Sequence, residues 1–162
     1  MKEYVEKVIK AYPDMKFERR CLKTQMRSMG FTEEDVIYSM SFGHPDGERV
    51  QNSDLSDKTA KIAMVLKEKQ REMNDEYFLY LLKRYQQLDE EIIFLEESIA
   101  ELPDELADIM TALVIRGDSW EMVQKVFCVG KHKLFESRKE ATRYLVRAYQ
   151  RRESYASAYL LS

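Results

Sequence analysis

The sequence predicts an all-α protein. Only five Gly and three Pro occur among the 162 residues, while 44% of the residues are hydrophobic and 34% are charged. Few turn-forming residues and many charged ones are typical of a helical protein rather than of a turn-rich β fold. Apolar residues also recur at steps of three and four over much of the chain, which is the period of an amphipathic helix.

The N-terminal region, residues 1–55, is predicted to begin with short helices. Residues 2–11 and 14–29 follow the helical period, and Pro13 is expected to separate them because a proline disfavours helical geometry in the residue before it. Gly30 follows the last apolar residue of the second pattern and is expected to end that helix.

A third short helix and a loop are expected next. Residues 32–40 open with a capping pattern, whereas residues 41–55 are rich in Gly, Pro, Asn, Asp and Ser and have no apolar period. His44 lies in this loop beside carboxylates, but a single histidine is weak evidence for a metal site. We expect a surface loop here and no metal.

Residues 56–102 are predicted to form a long, coiled-coil-like helical arm, as one helix or as two with a break near Asn74 and Asp75. Its clearest feature is a heptad seam, a row of apolar residues at alternating steps of four and three. Two interpretations remain open: homodimerisation through residues 77–102, or packing of the seam against helices of the same chain. The seam consists of Leu81, Tyr85, Leu88, Ile92, Leu95, Ile99 and Leu102.

Residues 103–152 have the pattern of a helix-turn-helix domain, and residues 153–162 are interpreted as a tail. A helix is expected from Pro103 to Gly117, and Ser119 can cap a short helix after it. A turn at residues 128–130 then leads into a basic helix that carries its polar residues near its start, as in helix-turn-helix proteins. The predicted interior positions are Trp120, Val123, Phe127, Val129, Leu134, Ala141 and Leu145.

The net charge of −3 conceals an uneven distribution. Residues 116–152 contain ten Lys/Arg against four Asp/Glu, and Glu153 is the one charged residue after them, so residues 1–115 carry −8. A basic segment on an acidic body is typical of nucleic-acid binding, although a basic helix face exposed to solvent is the alternative. The sequence therefore predicts binding of double-stranded DNA.

The stretch SWEMVQKVFCVGKHKLFESRKEATRYLVRAY resembles region 4 of sigma-70-type factors, which reads the upstream promoter element. The arrangement of the whole chain, including RVQNSDLSDKTAKIA before the long helix, is similar to sigma-like phage regulators of the ArpU/RinA type. This resemblance implies a phage or prophage activator of late genes in the cytoplasm of a bacterial host. The sequence departs from the sigma pattern at two positions. A polar residue is usual at the position of Phe135, and a Ser or Thr cap is usual at the position of Gly130.

The same resemblance and the chemistry of the side chains indicate which residues contact DNA. Cationic side chains near phosphates supply salt-dependent affinity, whereas specificity depends on the few side chains that reach base edges. For Phe135, burial against a neighbouring helix is an equally good interpretation. The candidate base-reading residues are Lys131, His132, Phe135 and Glu136, and the candidate phosphate-binding residues are Lys133, Arg138, Lys139 and Arg143.

Several function classes are not expected. The sequence has no phosphate-binding loop, zinc-protease, nucleophile-elbow or EF-hand motif, so we expect neither an enzyme nor a cofactor. Cys21 and Cys128 lie far apart and are expected to be reduced. No run of eighteen apolar residues occurs, and we expect neither export nor membrane insertion.

The sequence thus predicts a sequence-specific transcriptional regulator that binds promoter DNA, with RNA polymerase as a further candidate partner of its acidic part. The alternative is a DNA-packaging protein similar to a small terminase subunit, which also joins a helix-turn-helix to a helical oligomerisation arm. A third interpretation is an interaction module in which the helix-turn-helix binds protein.

Overall fold

The computed structural model of the protein describes residues 1–29 and 58–160. The predicted helix end at Gly30, the helix over 32–40, the loop over 41–55 and His44 lie outside these residues. No strand occurs within the described ranges, which confirms the all-α class. The elements are α1 (Lys2–Ser28), α2 (Lys58–Ala100), α3 (Asp104–Met110), a π-helix (Thr111–Arg116), α4 (Trp120–Val126) and α5 (Lys131–Leu160).

Contacts divide the chain into two units, Met1–Glu18 with Leu88–Ser162, and Arg19–Gln87. Among the residues of the second unit whose burial is described, the buried apolar side chains lie on α1 and α2. They are Leu22, Met26, Phe78, Leu81 and Leu82. The first unit contains the segment with the helix-turn-helix pattern.

The predicted break in the N-terminal helix at Tyr12 and Pro13 is wrong, because α1 continues through Pro13. A proline inside a helix removes one backbone hydrogen bond and costs roughly 3 kcal/mol. The side chains just before it offset this cost, since Val5, Val8 and Tyr12 are buried in the main core of the unit. Tertiary packing therefore overrides the local preference.

The long helix α2 shows no break at Asn74 and Asp75, so the single-helix alternative is the observed one. In the first unit, the last four residues of the heptad seam are buried within the chain's own core, which supports packing inside one chain at these positions. They are Ile92, Leu95, Ile99 and Leu102.

A helix does run from the proline at 103 to the glycine at 117, as predicted, but its second half has π geometry. The α3 segment begins after Pro103 and passes directly into the π-helix, which ends at Gly117. The backbone N–H of Asp118 donates to the carbonyl of Ala112 at 2.9 Å and closes the wide turn. The wider repeat was not predicted, because apolar spacing does not distinguish it from an α-helix over one turn.

One apolar cluster connects every long element of the first unit. It joins the first turns of α1 to the end of α2, to α3, to the π-helix and to the buried side of α5. Its buried members are Val5, Val8, Ile9, Tyr12, Ile92, Leu95, Ile99, Leu102, Leu106, Met110, Val114, Ala141, Leu145 and Tyr149. The position of α5 is therefore fixed by residues from both ends of the sequence.

A group of aromatic and charged side chains borders this cluster near residue 152. The Arg152 Nη2 donates to the Glu91 carboxylate at 2.7 Å, and the Arg152 guanidinium carbon lies 4.3 Å from the centre of the Phe94 ring. Phe94 contacts Tyr149 edge-on, with ring centres 4.8 Å apart. Burial alone lowers the pKa of Arg152, but the hydrogen bond and charge of Glu91 more than offset it, so the pKa is raised.

The isoleucine pair on α2 tests the importance of the cluster. Ile92 is fully buried, whereas the next residue, Ile93, is 43% exposed. We expect Ile92→Ala to lower the free energy of unfolding by about 2–5 kcal/mol, and Ile93→Ala by less than about 1 kcal/mol, because only the first leaves a cavity. Urea unfolding followed by circular dichroism measures both, and equal losses would contradict the described packing.

Tyr149 is expected to affect stability at alkaline pH. Burial, and after it the negative charge of Glu91, raises the pKa of Tyr149 above its usual value of 10.0. The stabilisation from its neutral hydroxyl is therefore complete below about pH 10 and is lost as the pH rises above that value, where the unfolded tyrosine ionises first. Tyr149→Phe should lose less stability than wild type on this alkaline side. Tyr155→Phe, at a position 75% exposed, should follow the wild-type curve in the same unfolding measurements.

Candidate nucleic-acid interface

The short helix α4 begins at a side-chain cap. The hydroxyl of Ser119 accepts a hydrogen bond from the backbone N–H of Met122 at 3.2 Å, as the sequence predicts for this serine. A serine at this position satisfies one of the N–H groups that the first turn leaves unpaired. The start of α4 is thus determined locally.

The turn between α4 and α5 depends on one left-handed residue. Cys128 has φ 52°, and the next N–H, that of Val129, donates back to the carbonyl of Gln124 at 3.1 Å. This is a Schellman-type helix end, in which glycine is the usual left-handed residue. Gly130 has a different role, because its carbonyl accepts the first hydrogen bond of α5, from Leu134 at 3.0 Å.

Helices α4 and α5 are held against the π-helix region by a second apolar cluster. Ile109, Ala112, Val123 and Leu134 are buried in it. Of the predicted interior positions, Val123 and Leu134 are buried here, Ala141 and Leu145 are buried in the main cluster, and Trp120, Phe127 and Val129 are partly buried against the second cluster.

The four candidate base-reading residues lie on the exposed side of the first two turns of α5. Lys131, His132, Phe135 and Glu136 are all exposed. The ring of Phe135 is 55% exposed, so its burial against a neighbouring helix, the alternative interpretation, does not occur in the described structure.

The candidate phosphate-binding residues differ in their neighbours. The Lys133 Nζ lies 4.0 Å from Glu105 of α3, and the Lys139 Nζ lies 3.8 Å from Glu136; all four side chains are about half exposed or more. Exposed pairs of this kind contribute little energy, so these lysines can exchange the partner for a phosphate.

The two candidate arginines have different surroundings. The Arg138 guanidinium carbon lies 5.8 Å from the centre of the Trp120 ring, and this contact connects α5 to α4. Arg143 is exposed and has no ion pair with any residue of the described ranges. Arg143 is therefore available to a phosphate without first giving up a carboxylate partner.

Sequence reasoning missed the regularity of the exposed face of α5. Steps of three and four residues place His132, Glu136, Lys139, Arg143 and Arg147 on one side of the helix, opposite the buried row that includes Leu134, Ala141 and Leu145. We call these five residues the polar face of α5. The spacing was present in the sequence, and Arg147 could have been included on that signal alone.

A groove of about 1010 Å³ borders this polar face within the first unit. Helix α1, the end of the π-helix and α5 form its walls, and the partly buried Trp120 lies among its lining residues. We call it the cationic groove, because six of its lining side chains are basic and two are acidic. The basic ones are Lys2, Lys10, Arg138, Lys139, Arg143 and Arg147, and the acidic ones are Glu6 and Asp118.

The lysines of α1 in this groove were not predicted as site residues. They belong to residues 1–115, whose net charge is negative, and this net charge gives no indication of a local group of cations. No sequence signal connects them to α5, since Lys2 and Lys10 reach the groove only through tertiary packing.

No group of three or more His, Cys, Asp or Glu able to hold a metal occurs within the described residues. Cys21 and Cys128 are both free thiols. Over the same residues, none of the helices combines the length and the apolar character that crossing a membrane requires.

Comparison of the chain with protein-family models, with curated proteins and with solved structures found no match.

Two glycines that flank α4 are expected to respond oppositely to substitution. A Cβ at Gly117 or at Gly130 would meet no atom within 4 Å, but only Gly117 has a left-handed backbone, with φ 72°. Gly117→Ala should lower the free energy of unfolding by roughly 1–2 kcal/mol. Gly130→Ser should raise it by up to about 1 kcal/mol, because serine caps a helix better and orders the unfolded chain. Thermal and urea unfolding would show the difference, and losses of equal size would refute the assigned turn.

Proposed function

We propose that α4, the turn at residues 127–130 and α5 form a helix-turn-helix that binds double-stranded DNA in a sequence-specific way. The observation that carries this proposal is the polar face of α5. It is exposed and rich in cations, while the opposite side of the same helix is buried in two apolar clusters. A helix whose buried side is fixed by packing can present its exposed side to a major groove.

The dimensions of α5 suit this role. Lys139 and Arg147 are eight residues apart, which corresponds to about 12 Å along a helix. These cations follow the first two turns of α5 and can contact consecutive phosphates of the strand that borders the groove. The first turns of α5 then lie closest to the base edges, as in helix-turn-helix proteins.

Each candidate base-reading residue has a defined chemistry. His132 can donate or accept a hydrogen bond, Glu136 can accept from the amino group of cytosine, and Phe135 can contact a thymine methyl group. Lys131 can donate to guanine. A good base contact contributes about 1–3 kcal/mol of discrimination, so two or three such contacts would provide useful specificity.

Within DNA-binding functions, we propose a transcriptional regulator. The resemblance to sigma region 4 and to ArpU/RinA-type phage regulators supports promoter binding and activation of late genes, with the acidic part of the chain as a surface for RNA polymerase.

The packaging alternative depends on an oligomerisation arm. The burial of Ile92, Leu95 and Ile99 in the chain's own core makes these residues poorly suited to that arm. Mass measurement in solution separates the two, since a ring of many subunits favours packaging and a monomer or dimer favours regulation.

Two exposed arginines of α5 provide the test. Arg143 lines the cationic groove, whereas Arg151, two turns further along, does not. In titrations of a random-sequence duplex, Arg143→Ala should weaken binding and reduce the slope of log affinity against log salt by about one, the effect of losing one phosphate contact. Arg151→Ala should keep the wild-type affinity and slope.

The proposal fails if the wild-type protein shows no salt-sensitive binding to the duplex, or if the two arginine variants behave alike. Selection of bound sequences from random DNA then tests specificity. Wild type should enrich a defined motif, and Glu136→Ala should relax the preference at one position of that motif.

A further inference from the structure

The wall of the cationic groove that faces α5 belongs to α1. Lys2, Glu6 and Lys10 line it at steps of four residues and thus lie on one side of that helix. Lys2 and Glu6 form an exposed pair at 3.8 Å. Lys10 is exposed and has no ion pair with any residue of the ranges that the structure describes. The outer wall therefore carries one uncompensated cation and one that a carboxylate partly neutralises.

Helix α1 is firmly placed beside α5. Val5, Ile9 and Tyr12 are buried in the same cluster as Leu145 and Tyr149. The Tyr4 and Tyr149 rings also contact each other edge-on, with centres 5.8 Å apart. The backbones that carry the two rows of cations are therefore fixed relative to each other on folding, so that binding requires only the exposed side chains to become ordered.

We propose that the cationic groove receives the sugar–phosphate backbone of one DNA strand, with Lys2 and Lys10 of α1 contacting its phosphates from the side opposite α5. This inference rests on the proposed function, because it requires α5 to enter the adjacent major groove. A helix that enters a major groove has a phosphate backbone on each side of it, and other helices of such proteins contact that backbone.

Charge and shape favour this occupant. The lining of the groove has six cations against two carboxylates, and Asp118 already pairs with Arg116 at 2.8 Å. Each strand of duplex DNA presents one negative charge per about 3.4 Å of the helix axis, so a phosphate backbone complements a groove with cations on both walls. The cations of the inner wall also extend over about 12 Å from Lys139 to Arg147, a length that several consecutive phosphates can occupy.

Lys10 and Lys7 form a matched pair for the first test. Both are exposed lysines of α1, but only Lys10 lines the groove. With the full chain and a random-sequence duplex several helical turns long, between about 50 and 200 mM salt, Lys10→Ala should reduce the salt slope by about one. Lys7→Ala should leave the slope at its wild-type value.

Glu6 provides a test with the opposite sign. Glu6→Gln removes a carboxylate from the groove and releases Lys2 from its pair. Binding of the same duplex should become about twofold to fivefold tighter at low salt. Glu3→Gln removes an exposed carboxylate of α1 that does not line the groove and should tighten binding less than Glu6→Gln. Circular dichroism and thermal unfolding of each variant check that the fold is retained.

The outcomes separate this inference from the proposed function. If Arg143→Ala weakens binding but Lys10→Ala behaves like Lys7→Ala, the inference is overturned and the proposed function stands, leaving the groove to an acidic protein segment. Weaker binding by Glu6→Gln overturns it in the same way. If the wild-type chain does not bind the duplex, both proposals fall.

Discussion

The burial of α1 and α5 in one apolar cluster is the constraint on which the other features of the first unit depend. Leu145 and Tyr149 on the back of α5 share this cluster with Val5 and Tyr12 of α1 and with the end of α2. Because side chains of such a core interdigitate closely, the angle and register of α5 are determined by its neighbours. Only with its back fixed in this way does α5 present a constant polar face, and only with α1 fixed beside it does the cationic groove exist.

Much of the fold follows from local sequence signals, and the exceptions have a common cause. The cap at Ser119, the helix end at Gly117 and the short helix α4 are determined by residues a few positions apart, so they could be predicted from the sequence. The continuation of α1 through Pro13 could not, since a local rule predicts a break and long-range burial prevents it. The π-helix could not be predicted either, because its wider turn does not alter the hydrophobic pattern over so short a stretch.

The residues of the candidate site likewise fall into two groups, those that sequence spacing predicts and those that only tertiary packing brings together. The cations of α5 could be predicted because they lie at regular spacing along one helix. The exposure of Phe135 excludes its burial against a neighbouring helix, one of the two interpretations that the sequence left open. Lys2 and Lys10 could not be predicted from their neighbours in sequence. Their proximity to α5 depends on contacts between residues at opposite ends of the chain, which no count of charge per segment can represent.

The pairing of α1 with α5 has a consequence for how the protein is made. The contact between Tyr4 and Tyr149 joins residues that are far apart in sequence, and such non-local contacts form slowly because the intervening chain must first be closed into a loop. During synthesis the ribosome therefore releases α1 long before its partner exists. Until α5 has emerged, the apolar side of α1 has no complete core to enter. The groove is assembled only after α5 has been synthesised, because residues of both α1 and α5 line it.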